Sequence, residues 1–268
     1  MVAGPALPGR HTGPVARTRT TESEHAAVIA YYRAVGPVLL PHLAGRAVTG
    51  FGTGTAPDQT GEPDQPHVTP PGAPAPGVRG VVLHIADLSD LDEAVRSGVV
   101  GFRLTDWPGP DRLALHIRAG EDSGIDVVAT TTLALIELLQ PDGVHLTALL
   151  DGMDGMYLAG VGAGQQAAIR TAGALADRSP EIATINDADT AGRALVQPLS
   201  TGTGGLLAPY SLVPGPDGMA VVAPLTRDEV AAATAGMPLE IDRAEVVDRI
   251  RTRGDLALLL AGPRNADA

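Results

Sequence analysis

Seven histidines, two pairs of acids and one glycine run are the residues of this sequence whose types could do chemistry. The histidines are His11, His25, His42, His67, His84, His116 and His145, and no two stand at i, i+4 spacing or in an H-x-E arrangement. A zinc centre built from them therefore requires the fold to bring distant residues together, and the expected state is a surface or satisfied core imidazole. Glu121 with Asp122, and Asp151 with Asp154, could each hold a cation through hard oxygens, although acid-rich turns are ordinarily just solvated. Gly160, Gly162 and Gly164 precede a helical pattern, where backbone amides could cradle an anion. The spacing is not G-x-G-x-x-G and no Lys-Ser/Thr follows, so the run is expected to be a strand-to-helix turn.

Several chemistries are excluded by residue type. There is no cysteine, and all 19 basic residues are arginines. Thiolate metal sites, disulfides, cysteine nucleophiles and a covalent lysyl-nucleotide intermediate are thus impossible, the last of which sets ligase activity aside. No serine sits in a G-x-S-x-G elbow. The formal net charge of −12 repels phosphate at long range, so nucleic acid would be held only by a local basic patch.

The elements that must position any site follow from periodicity and breakers. A chain of 268 residues with 44% hydrophobic content can bury one large core or two small ones. Residues 1–20 hold three arginines and no acid, which reads as a disordered basic tail; residues 21–262 form the body and 263–268 a short tail. Thr21 and Glu24 form a capping box for a helix to Val35, continued or restarted after Pro37 through Leu43. Residues 47–49 read as a short strand, and 50–77, with seven prolines and six glycines, as a long loop. Buried strands are expected over 81–85, 99–104, 113–117 and 144–150, with shorter ones over 194–196, 206–212 and 221–223. Helices are expected over 89–97, capped by Ser89, and over 124–140, 164–177, 227–235 and 243–251. No signal-peptide pattern and no apolar run of about 18 residues is visible, so a cytoplasmic protein without a membrane partner is expected.

Residues 29–49, IAYYRAVGPVLLPHLAGRAVT, closely resemble the opening of the polymerase domain of bacterial ligase D, an archaeo-eukaryotic primase-like domain of non-homologous end joining. The Tyr31-Tyr32 pair, the Leu-Leu-Pro-His-Leu run and Gly45-Arg46 match in order and spacing. The resemblance continues through Ile85-Ala86-Asp87-Leu88, Ala94-Val95, Phe102 and Trp107. It resumes at Ala208-Pro209-Tyr210-Ser211 and at Pro224-Leu225-Thr226-Arg227-Asp228-Glu229-Val230. It implies an α/β (α+β) fold of primase-polymerase type, with a mixed β-sheet flanked by helices.

What the resemblance implies for the site is a loss. Family polymerases hold two divalent ions on carboxylates, one pair from an I-D-L-D-P-G strand, and the matching run here is Leu115-His116-Ile117-Arg118-Ala119-Gly120. A neutral imidazole is a poor magnesium ligand and a guanidinium is none. The run matching S-G-G-R-G-L-H is Asp151-Gly152-Met153-Asp154-Gly155-Met156-Tyr157, with Asp154 for the arginine and Tyr157 for the histidine. A third carboxylate would fall near Gln197, and no acid lies between Thr190 and Asp217. The family's DNA 5′-phosphate grip would lie after Thr49, where the proline-glycine loop stands. These substitutions read as a non-catalytic homologue with an accessory role in DNA end joining or repair, whose partners would be DNA ends or end-joining proteins. No cofactor is expected on this reading. The alternative is a weakly active or repurposed nucleotidyltransferase using Mg or Mn on Glu121, Asp122, Asp151 or Asp154. Oligomeric state is not legible.

Overall fold

A computed structural model of the protein describes residues 22–52, 81–199, 205–215 and 218–261. The basic tail, Thr21 and its part of the capping box, and most of the proline-glycine loop lie outside the described residues.

Two sheets form the frame. The four-stranded one has the order β2-β1-β3-β9, from Val81–Leu83, Val48–Gly52, Val99–Leu104 and Leu206–Leu207. The six-stranded one has the order β12-β5-β6-β4-β8-β7, from Ala223–Leu225, His145–Leu150, Gly155–Val161, Arg112–Ala119, Ala194–Pro198 and Ala183–Thr184. A ribbon of β10 (Leu212–Gly215) and β11 (Gly218–Val221) lies between them in sequence. Every pairing is antiparallel except β7 with β8. The expected mixed sheet flanked by helices is therefore present.

Helices α1 (Glu22–Leu43) and α2 (Leu88–Arg96) accompany the smaller sheet; α3 (Ile125–Leu139) and α4 (Gln165–Arg178) pack on the larger one. α3 presents Val128, Ala129, Leu135 and Leu139 inward, and α4 presents Leu175 with Ala168 and Ala172, whose small side chains let the helix lie close. On the sheet beneath, Leu115, Ile117, Met156, Leu158 and Val196 are buried. Helices α5 (Arg227–Thr234) and α6 (Arg243–Arg253) follow the last strand.

α1 runs unbroken through Pro37 and Pro41. Each proline removes one i to i−4 hydrogen bond. Continuity is upheld by burial of Tyr31, Tyr32, Val35, Leu39 and Leu43 along one side. The tyrosine pair anchors it: the Tyr32 hydroxyl donates to the Val100 carbonyl and accepts from the Leu212 amide, and the Tyr31 hydroxyl donates to the Tyr210 carbonyl. By length and composition α1 could cross a bilayer, unlike any stretch singled out from the sequence, but these residues are part of the core.

The sequence expectations need correction in six places. The strand expected over 221–223 is instead the end of β11 and the start of β12, with Val222 between them. Gly50–Gly52 belong to β1 rather than to the loop. β2 is a three-residue edge strand with Val81 and Val82 exposed, so its β-branched residues reflect strand propensity and not burial. The N-cap of α2 is Asp87, whose carboxylate accepts from Ser89 and Asp90 amides in a capping box, in place of Ser89. Residues 206–212 do not form one strand, because Tyr210 takes a φ of 68° between β9 and β10. β6 was not foreseen at all, although it is a central strand.

Candidate functional site

Strand pleat decides which residues share a face, since directly opposed residues project to the same side. His116 on β4 stands opposite Tyr157 on β6 and opposite Gln197 on β8. Arg118, two residues on, stands opposite Gly155 and Leu195. His116, Arg118, Tyr157 and Gln197 therefore share the face turned away from α3 and α4. Arg103 on β3 reaches the same region from the smaller sheet, where it lies over the Phe51 ring at 6.0 Å. Its charge is felt at the Tyr157 hydroxyl. A guanidinium from each sheet thus acts on the Tyr157 hydroxyl, and the region around it is the candidate site.

At the floor, the His116 ring stacks on Tyr157 with centroids 4.3 Å apart and an angle of 18°. His116 Nε2 lies 2.9 Å from Asp151 Oδ2, and both side chains are 3% exposed. The other carboxylate oxygen of Asp151 accepts from the Met153 and Gly155 amides at 2.8 and 3.1 Å. Gly155 permits this closeness, because a Cβ there would meet Asp151 Oδ2 at 2.6 Å. Asp151 is thereby consumed in closing the β5–β6 turn and pairing with the imidazole. Arg118 Nη2 donates to Gln197 Oε1 at 3.2 Å and lies 3.8 Å from the exposed Asp187 carboxylate.

Charge around Tyr157 is mixed. Burial raises the phenol pKa well above its ordinary value and the Asp151 carboxylate adds to the rise, while Arg103 and Arg118 oppose both. Arg103 itself is pushed down by burial. Two buried nitrogens of the site, His116 Nδ1 and Arg118 Nε, have no hydrogen-bond partner.

The five positions singled out by resemblance are thus partly brought together. His116, Arg118, Tyr157 and Gln197 converge, whereas Asp154 sits exposed on the β5–β6 turn and Asp151 is the buried acid. Glu121 and Asp122 are exposed in the turn after β4, with Asp122 at a φ of 58°. Among the described residues no three His, Asp or Glu side chains gather as a metal-holding group. The donor set does not fit a pair of hard divalent ions: one carboxylate is already paired, and the other polar groups are an amide, an imidazole and a cation. Gly160–Gly164 is the strand-to-helix turn that spacing predicts, with Gly164 as N-cap of α4.

A second polar constellation went unread in the sequence. His42 Nε2 lies 3.0 Å from Asp255 Oδ2, and Asp255 Oδ1 accepts from the Tyr210 hydroxyl at 2.7 Å and from the Ala257 amide at 2.8 Å. Spacings of 213 and 45 residues give no local signal.

Residues 25–257 match the family described as LigD, primase-polymerase domain. No curated protein matches the chain. Among solved structures, the polymerase domain from Mycobacterium tuberculosis ligase D, in complex with DNA, is similar with a TM-score of 0.70 and 24% sequence identity. The similarity covers 90% of this chain and 92% of that one.

Proposed function

The chain belongs to the ligase D primase-polymerase family, and on that premise we propose that it is a non-catalytic member with an accessory role in DNA end joining. The observation that carries the reading is the buried His116–Asp151 pair with Arg118 beside it, on the strand where the resemblance puts metal-binding carboxylates. Nucleotidyl transfer on two metals needs oxygens that neutralise the attacking and leaving groups. Here the imidazole spends the site's buried carboxylate, Asp151, and a guanidinium occupies the next position on the same face. The family scaffold is kept throughout, so what it offers is surface: binding to DNA ends, as the mycobacterial domain's complex with DNA suggests by analogy, or to end-joining proteins.

Primer extension with Mg2+ or Mn2+ and either deoxy- or ribonucleotides is the test. No incorporation is expected at any metal concentration. Incorporation that disappears in Asp151→Asn or Asp154→Ala would overturn the proposal and make the chain a metal-dependent polymerase on substitute ligands. A mobility shift with blunt or overhanging duplex at low salt probes the accessory role.

A further inference from the structure

We propose that the groove between α1 and α2 docks an acidic amphipathic helix of another protein, which sets one large apolar side chain into a cavity there and its carboxylates on Arg33 and Arg96. The proposal deepens the accessory reading by naming a kind of protein partner, and rests on that reading only for there being one. The cavity is the first support. It holds about 160 Å³ and is walled by Ile29, Leu88, Leu91 and Val95 with the ring of Tyr32. The Tyr32 hydroxyl is spent on Val100 and Leu212, so these side chains offer an occupant no hydrogen bond. Sites for whole small molecules run to about 300–1,000 Å³, whereas an apolar cavity of about 150 Å³ accepts a benzene ring. The space therefore suits a single side chain of leucine or phenylalanine size.

The second support is the rim, where Arg33 and Asp92 stand and Leu88 is 47% exposed. Asp92 takes Arg33 Nε at 2.9 Å on one oxygen and Arg96 Nε at 2.5 Å on the other. Both arginines are held in place through Nε, and their Nη groups keep no hydrogen bond among the described residues. Two guanidiniums against one carboxylate leave a net positive charge and two positioned donors for further carboxylates. The other acids of α2 do not cancel it. At 3.6 residues per turn, Asp90 and Glu93 lie roughly 150° around the helix from the side that Leu88, Leu91 and Val95 share. Asp90 is also tied to the Ala86 and Asp87 amides.

The third support is the outer face of α1. Between Ser23 and Pro37 its exposed positions are Ala26, Ala30, Arg33 and Ala34. A solvent-facing helix side is ordinarily polar, and this one is a strip of methyl groups beside Ile29 with a single cation. Small side chains let a second helix lie close, as helix-in-groove recognition requires. The strip alone names no partner; the cavity supplies the apolar anchor and the rim supplies the sign of the charge.

The probe is a fluorescein-labelled synthetic helix carrying one Phe with Glu a turn before and a turn after it, and fluorescence anisotropy with the full chain at low salt reads binding. Saturable binding is expected, weakened at least about tenfold when the peptide's Phe becomes Ala. Replacing its Glu residues by Lys, or making Arg33→Glu or Arg96→Glu in the protein, should each weaken it about tenfold. Ile29→Trp should block it by filling the cavity, and Arg170→Glu on α4 should leave it unchanged. If Ile29→Trp lowers the melting temperature, Leu88→Glu at the half-exposed rim takes its place. No saturable binding, or equal binding by the Lys peptide or by Arg33→Glu, overturns the proposal. So does displacement of the probe by a peptide of residues 1–20, which would assign the cavity to the chain's own tail, or a dimer in sedimentation that Arg33→Glu dissolves, which would assign it to a second copy. Loss of probe binding with primer extension still absent removes the docking site and leaves the non-catalytic reading; extension with probe binding intact does the reverse.

Discussion

His116 and Arg118 carry the proposal at the scale of single residues, because each puts a nitrogen group where the resemblance places a metal-binding carboxylate. Their effect depends on Asp151, which a free acid at the same place would make a ligand and which a neighbouring imidazole instead makes a partner. Converting both residues to aspartate tests this directly. In a His116→Asp/Arg118→Asp variant three carboxylates face one another on β4 and the β5–β6 turn, with Tyr157 alongside. Without a cation they repel and are poorly solvated, so the variant should melt well below the parent. Manganese should raise its melting temperature, by an amount equivalent to about 2.7 kcal/mol at a hundred times the dissociation constant, and should not move the parent. Differential scanning calorimetry with and without Mn2+ reads both, and a variant indifferent to manganese would show that carboxylates at these two positions do not suffice to build a metal site.

Among the elements, α1 holds together against its own sequence. Pro37 is exposed, and its missing N–H leaves the Arg33 carbonyl without the usual helical donor. Replacing Pro37 by Ala should restore that bond and stabilise the protein by about 1–2 kcal/mol. This is the roughly 3 kcal/mol of helix propensity reduced by the entropy the unfolded chain regains and by the relaxation already present. The urea midpoint should rise with an unchanged slope; a fall would mean that a bend at Pro37 is needed to seat Tyr31 and Tyr32. Strands were legible where long apolar side chains alternate with smaller or polar ones, whether or not burial alternates. β4 was visible because Leu113, Leu115 and Ile117 alternate with Ala114, His116 and Arg118. β6 was not, because Gly-Met-Tyr-Leu-Ala-Gly-Val is buried on nearly every residue and its glycines look like breakers. Gly160 fits only because a Cβ would meet Leu146 at 2.7 Å, a packing fact that no local pattern encodes. The site suffered accordingly. The resemblance located His116, Arg118, Tyr157 and Gln197, but Asp151 as the partner of His116 required the β4–β6–β5 register, which periodicity cannot supply.

For the molecule as a whole, the C-terminal segment closes the body by returning to the first helix. Arg46 Nη2 donates to the Leu260 carbonyl, Arg243 pairs with Glu24 at 3.0 Å, and Asp255 binds His42 and Tyr210. Asp255 is the centre of this closure. Burial by itself would raise its pKa, but the hydrogen bonds and charge of His42, the Tyr210 hydroxyl and the Ala257 amide outweigh it and hold the carboxyl below the ordinary value. A carboxylate depressed on folding contributes stability that is present above its unfolded pKa of 3.8 and is lost as pH falls through the lower folded value. The parent should therefore lose unfolding free energy steeply as pH drops below about 4. Asp255→Asn should be less stable at neutral pH by about 2–4 kcal/mol, because the imidazole and hydroxyl lose a charged acceptor. Its stability should also fall less steeply in the acid range, so that the two denaturation curves approach one another there. Urea denaturation followed at several pH values between neutrality and the acid limit measures both the offset and the slope. Parallel curves would mean that the closure is held by packing at Leu260 and Ala257 and not by the carboxylate.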